Sequence, residues 1–520
     1  MASPRRIPMR PDTRSERLVR SPRVPGAMRS IEVGPGEPVT VHPGWRSLAC
    51  LVHLSDLHIC DAQSPSRVEY FDRYADPDSP MLEALGLVGV YRPQEMLTTQ
   101  VLASAVEAAN AVTHGPSGAP VDAVVITGDT VDNAQHNETR WYTTLLDGGT
   151  VAPTSGDPTR WEGVGGPDDP DVRYWHPEGG AEDLPRTLHG FPTIPGFFDV
   201  AQRPITSPGL RAPWFAIHGN HDALLQGVTP PDEVVEAITT GDAKFHGVAP
   251  DTDVLGLLLA FSPIGPATFP HVPHWPTHTV TADPERSFQH PGDYAAAHLA
   301  CGHGHGFTEA NVEARTAYWT RDLNAHVTLI ALDTVNTHGG WHGAVDREQL
   351  AWLRGVLERT DRYVVVMSHH PVETLVNGHA PEGVPTPALG DEVTALLLEF
   401  PKVVLWLAGH THKHEITYVG PSPERGFWHV RTSSLIDWPQ QSRVVELLET
   451  ETGLAIATHV FDHHGDAMPD LAELDRNNAV AGLSRWLAAN NWQRQEGPHV
   501  LEGLEGQPHD RNMVLPLSAR

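Results

Sequence analysis

The chain has 520 residues, 40% of them hydrophobic, which is enough for a sizeable core and for about three domains or one elaborated domain. Its formal charge of −29 excludes a general nucleic-acid binder, though not a phosphorylated substrate whose charge is met by cations. Three cysteines (Cys50, Cys60, Cys301) without Cys-x-x-Cys spacing argue against a disulfide framework or a thiolate zinc site, and suit a reducing cytoplasmic location.

No apolar run approaches the roughly 20 residues of a membrane span, and the longest, Val254 to Phe261, reads as core. Residues 1–46 read as a disordered basic tail, with eight arginines among the first 29 residues, or as upstream sequence if translation begins at Met28. Arg5-Arg6 lacks the apolar stretch that an export signal needs.

Order is expected from Ser47, where Leu48 to Leu54 forms a buried strand. A helix over Met96–Val112 and a second strand, Ala123 to Ile126, follow; strand, helix, strand implies a parallel pair with a right-handed crossover. The third strand is Trp214 to Ile217. Two long irregular stretches, 148–210 and 223–315, hang from these strand ends and are read as insertions capping a pocket. Strands then return at Thr316–Leu323 and His326–Asp333, with a helix over Asp346–Glu358. Tyr363–Met367 and Val403–Leu407 are further buried strands, and Trp428–Ser433, Val444–Leu448 and Leu454–Phe461 close the domain at about residue 462. Residues 463–520 read as a helical, then irregular extension without a chemical motif.

Five short blocks stand at the ends of these strands: Asp56-Leu57-His58, Gly128-Asp129, Gly219-Asn220-His221-Asp222, Ser368-His369-His370-Pro371 and Gly409-His410-Thr411-His412. The carboxyl ends of strands are where ligands bind in open α/β sheets. Mixed Asp, Asn and His donors suit manganese, iron or zinc better than softer or all-oxygen ions. Asp56, His58 and His412 are assigned to one metal and Asn220, His369 and His410 to a second, with Asp129 bridging. His221 is placed to protonate a leaving group and Asp222 to orient it. Gly302-His303-Gly304-His305 also fits Gly-His-x-His, but follows an Ala-rich helical segment and precedes the fourth block, so it reads as cap loop. His463-His464 reads as surface.

The blocks resemble the calcineurin-like metallophosphoesterase superfamily, over Leu48 to about Phe461. The resemblance implies a four-layer α/β (α+β) β-sandwich flanked by helices, and the metal-ligand roles above. It also implies hydrolysis of a small phosphate ester by a metal-bridging hydroxide, with Asn220 and His221 also contacting substrate. Gly128 to Gln135 is similar to a bacterial, largely actinobacterial branch. Protein phosphatases of the superfamily carry Arg where this chain has Asn133, which argues against that activity. A phosphodiester is the preferred substrate. The alternatives are a nucleotidase-like phosphomonoesterase and a metal-free binding module.

Overall fold

The computed structural model describes residues 16–37, 39, 41–76, 78–85, 88–267, 274–422, 424–494 and 501–518. In chain order the strands are β1 (Glu16–Arg20), β2 (Ile31–Pro35), β3 (Arg46–Leu54), β4 (Ala123–Ile126), β5 (Gly149–Val151) and β6 (Ile205–Ser207). Then come β7 (Trp214–Ala216), β8 (Ala243–Phe245), β9 (Thr277–Thr279), β10 (Trp319–Asp322), β11 (Val327–Leu332) and β12 (Tyr363–Ser368). The last are β13 (Val403–Ala408), β14 (Glu415–Ser422), β15 (Arg425–Arg431), β16 (Gln441–Thr450), β17 (Gly453–Asp462) and β18 (Met513–Ser518).

Two six-stranded mixed sheets form the α/β sandwich, in the orders β18-β17-β16-β3-β4-β7 and β10-β11-β12-β13-β15-β14. Period-two alternation sorts the second sheet's side chains between two cores. Leu329, Val365 and Leu405 face a cluster shared with the first sheet. Ile330, Val366 and Trp406 face the helices Arg347–Arg359 and Gly390–Leu398. Strands buried on both faces read as continuous Val/Ile/Leu runs, which is why β11, β12 and β13 were legible. The helix Arg347–Arg359 is capped by Asp346, which accepts from Gln349 N at 2.7 Å. Gln349 in turn exchanges hydrogen bonds with the backbone of Asp333 at the end of β11, at 2.7 and 2.9 Å.

β3, β4 and β7 are parallel to one another, as are β11, β12 and β13. Within each sheet the carboxyl ends of three strands therefore share one edge, and the five blocks lie on those edges. Among the described residues no helix is long and apolar enough to cross a membrane.

Four expectations need correction. The tail expected to be disordered carries, from residue 16, the antiparallel pair β1–β2, while residues 1–15 lie outside the described residues. Ile31 is buried with Trp438, Ala488 and Leu504, and Arg17 pairs with Glu505 at 3.1 Å. Partners almost five hundred residues away order a segment whose composition suggests disorder. The extension after 462 adds β18 to the first sheet beside β17, so the sandwich runs past the expected boundary.

The insertion 148–210 does not cap the pocket. Trp161, Trp175, Phe191 and Phe197 pack with Leu483, Leu487 and Trp492 of the extension into a core of their own. Full burial of a side chain such as Phe197 is worth about 1.5–3 kcal/mol, so the loop-like composition hides a packed unit. The apolar run Val254–Phe261 contains a short helix whose Leu258 is buried in a cluster with Tyr70, Phe71 and Trp275, as expected of core, while Leu259 is exposed and Leu258 and Phe261 also line a cavity. His463 is buried against Gln440 instead of lying on the surface.

Candidate metal centre

The loops after β3, β4, β7, β12 and β13 hold one another through their backbones. Asp56 N donates to Gly128 O at 3.2 Å, His58 N to Asp129 O at 2.9 Å, and Gly409 N to His369 O at 3.0 Å. Side chains complete the lattice: Asp129 Oδ1 accepts from His221 N at 2.9 Å and Asp56 Oδ1 from His410 N at 3.0 Å. Five candidate ligands, Asp56, His58, Asp129, His410 and His412, have φ between 45° and 66°. Non-glycine residues rarely take the left-handed region, and such strain persists where surrounding structure enforces it, often at functional sites. A Cβ on Gly219 would sit 2.3 Å from Asp129 N and Oδ1, so only glycine lets the third block approach the second.

The donors converge in two neighbouring groups. Ligand atoms of Asp56, His58 and His412 lie within 4.8 Å of one another, as do those of Asp56, Asp129 and His369. His58 Nδ1 meets the Asp132 carboxylate at 2.9 Å, and His412 Nδ1 meets Asp437 at 2.6 Å. Carboxylates accept, so both Nδ1 atoms carry hydrogen, and the two Nε2 atoms face each other 3.2 Å apart. Two ring lone pairs pointed together call for a proton or a cation between them.

The second group repeats that pattern. His369 Nδ1 donates to Thr127 O at 2.8 Å, leaving Nε2 to face Asn220 Oδ1 at 2.9 Å and Asp129 Oδ2 at 3.1 Å. Asn220 Nδ2 donates to Gly227 O at 3.0 Å, which turns Oδ1 inward. His410 completes this side, its ring 5.1 Å from that of His369. His370 is occupied elsewhere, with Nδ1 on Thr334 and Nε2 on the Trp341 carbonyl. Neutral nitrogens and carboxylate oxygens gathered this way fit a divalent cation.

The electrostatics agree. Burial works against charge on Asp129, yet His369, His221 and His58 hold its carboxyl well below the usual range. Burial likewise opposes charge on His369, but Asp129 and Asp56 raise it to about 9. Burial drives His410 far down, helped by His370 and His369. The buried carboxylates of Asp129 and Asp56 thus favour positive charge at the centre.

Asp222 corrects the expected orienting role. Its Oδ1 accepts from Thr130 N, Thr130 Oγ1 and Val131 N at 2.7–3.0 Å, and its Oδ2 from Gly219 N at 2.7 Å. It staples the second block to the third and makes no contact with the His221 ring. Burial and the nearby Asp129 raise its carboxyl to about 6. His221 is oriented instead by Asp132, whose backbone carbonyl accepts from Nδ1 at 2.7 Å.

Asp132 therefore holds both His58 and His221, and Asp437 holds His412; the sequence reading assigned neither. Asp437 also pairs with Arg92 and with Arg494 of the extension, each at 3.1 Å. Asp132 is anchored by buried Arg67, which also binds Glu95 at 2.8 Å. Asp132→Asn is expected to lower metal affinity 10–100-fold while Arg67 keeps Glu95, measured by competition against a chelating dye. Unchanged affinity would show that His58 needs no such support.

Asn133 is buried and bonded to Ser66 Oγ and Gln226 N, so it does not offer a phosphate contact. His136 and Asn137, at the start of the helix that follows the second block, are not among the cavity-lining residues, and Asn137 binds Asp61 at 2.8 Å. A cavity of about 690 Å³ opens over His58, Asp129, Asn220, His221, His410 and His412. Its far wall is apolar (Val68, Phe71, Leu225, Val228, Leu258, Phe261) and comes partly from the insertion 223–315.

The family model described as calcineurin-like phosphoesterase matches residues 189–414. That stretch holds Asn220, His369, His410 and His412, while Asp56, His58 and Asp129 precede it and join it through the contacts above. No curated protein matches the sequence. One similar solved structure is described as "GAP50 the anchor in the inner membrane complex of Plasmodium", with 10% identity, coverage of 84% of this chain and 95% of that one, and a TM-score of 0.25. The family match over residues 189–414 supports the calcineurin-like metallophosphoesterase superfamily, whose members are metal-dependent phosphoric ester hydrolases.

Proposed function

We propose that the chain is a dinuclear phosphodiesterase using manganese, iron or zinc. The position of Asp129 carries this reading: its Oδ2 lies 3.6 Å from His58 Nε2 and 3.1 Å from His369 Nε2, between the two donor groups. Asp56, His58 and His412 would hold one ion, Asn220, His369 and His410 the other, and Asp129 both. Ions bound there supply Lewis acidity, which lowers the pKa of water and neutralises phosphoryl charge. The protein's own part is positioning and proton supply. Asn220, held by Gly227, presents its amide oxygen to the centre. His221, with Nδ1 fixed on the Asp132 carbonyl, turns Nε2 to the cavity and from there protonates the departing alkoxide.

Charge favours a diester. A phosphomonoester is close to a dianion at neutral pH, because its second pKa is about 6, whereas a diester carries one charge. Every Arg and Lys among the described cavity-lining residues is already paired. Arg92 and Arg494 meet Asp437; Lys413 meets Glu415 at 3.0 Å, and Arg431 meets Glu415 at 2.5 Å and Glu373. No spare side-chain cation awaits a second negative charge, and the apolar wall suits a second ester group.

Bis-p-nitrophenyl phosphate is therefore expected to exceed p-nitrophenyl phosphate in kcat/KM by about tenfold or more, or about 1.4 kcal/mol in transition-state stabilisation. A preference for the monoester would identify a nucleotidase-like enzyme instead. Substoichiometric metal with no manganese-stimulated hydrolysis would point to a binding module.

A further inference from the structure

The Gly-His-x-His sequence at Gly302–His305 stays outside the centre, yet His305 has a distinct environment. Its ring stacks on Trp214 with centroids 3.4 Å apart and planes 12° from parallel. Its Nδ1 meets the Trp214 carbonyl at 3.2 Å. A carbonyl only accepts, so Nδ1 carries the hydrogen and a neutral Nε2 presents its lone pair. That Nε2 is buried without a hydrogen-bond partner, and it lies 3.4 Å from Asp147 Oδ1. The Asp147 oxygen is fixed by Trp214 Nε1 at 2.8 Å. Two acceptors therefore face each other, and burial lowers the basicity of the imidazole that would otherwise carry the proton between them.

The third group present is a thiol. Ligand atoms of Asp147, Cys301 and His305 all lie within 4.8 Å of one another. Asp147 ends the helix His136–Asp147, Cys301 follows the helix Pro291–Ala300, and His305 adopts a left-handed φ of 43°. Three separate elements thus bring one oxygen, one sulfur and one nitrogen donor to the amino end of β7, whose other end leads to Asn220.

We propose that Asp147, Cys301 and His305 form a second, structural metal site for a zinc-class divalent ion, with water as the fourth ligand on the open side of Asp147. One thiolate, one imidazole and one carboxylate form a zinc-type ligand set. Burial and the Asp147 charge push the Cys301 thiol up to about 11, so it stays protonated until the ion binds and its proton leaves to solvent. Because the site uses a single cysteine, no Cys-x-x-Cys spacing announces it. The ion would clamp the second insertion to the end of the helix His136–Asp147, beside the strand that leads to Asn220.

Cobalt(II) tests this without interference from the catalytic centre, whose donors include no sulfur. Titrating metal-stripped full-length protein with Co²⁺ should produce a thiolate-to-cobalt charge-transfer absorption that saturates at one thiolate-bound ion per chain. Cys301→Ser should abolish that absorption and retain phosphate-ester hydrolysis, and His305→Ala should lose it at cobalt levels that saturate the unaltered protein. Absence of the absorption in the unaltered protein would overturn the proposal, leaving His305 and Asp147 to share a proton. This result needs no variant to fold. Persistence in Cys301→Ser would overturn it as well, placing the thiolate at Cys50 or Cys60. Neither outcome depends on whether the catalytic centre is dinuclear.

Discussion

Asp129→Ala is expected to remove both metal ions and to lower phosphate-ester hydrolysis by roughly a thousandfold or more, since a metal pair contributes several kcal/mol to the transition state. The size follows from geometry. Asp129 Oδ2 faces His369 at 3.1 Å and His58 at 3.6 Å, so one carboxylate serves both donor groups. Its other oxygen accepts from His221 N, so the substitution also loosens the third block. Elemental analysis of the purified variant, with circular dichroism to check folding, decides the matter. A folded variant that retains two ions would show that the bridge lies elsewhere, and loss of only one would assign Asp129 to a single ion.

His221→Ala is expected to separate substrates by leaving group. With an alkoxide leaving group the loss should reach about 10²–10⁴-fold in kcat, the usual contribution of a positioned general acid. With p-nitrophenolate, which departs without protonation, the loss should stay within about tenfold. The ring lines the cavity, and its Nδ1 is tied to Asp132 O, so Nε2 is the nitrogen available to substrate. Equal losses on both substrates would sink the general-acid role and leave His221 as a substrate contact. Metal content should stay unchanged, which distinguishes this variant from Asp129→Ala.

The ligand blocks were legible because each follows a short, doubly buried strand that ends abruptly, and strand ends are local features. The sequence pattern favoured His369 over His370, and His370 has both ring nitrogens engaged, on Thr334 and on the Trp341 carbonyl. The orienting carboxylates were not legible. Asp132 lies 74 residues from His58, and Asp437 lies 25 from His412, with no spacing that marks either pair. Adjacency misdirected the reading of Asp222. The tight turn at Gly219–Asp222 points its carboxylate back to Gly219 N and across to Thr130, away from the neighbouring imidazole.

The sequence by itself determined the donor types, their order and their places at strand ends, because period-two burial and abrupt strand termination are written within a few residues. Only the tertiary structure decided which donors face one another, which carboxylates hold their rings, and which insertion walls the cavity. Those outcomes depend on packing between segments hundreds of residues apart: Asp56 beneath the His410 amide, Arg494 against Asp437, and the aromatic insertion turned away onto the C-terminal helix.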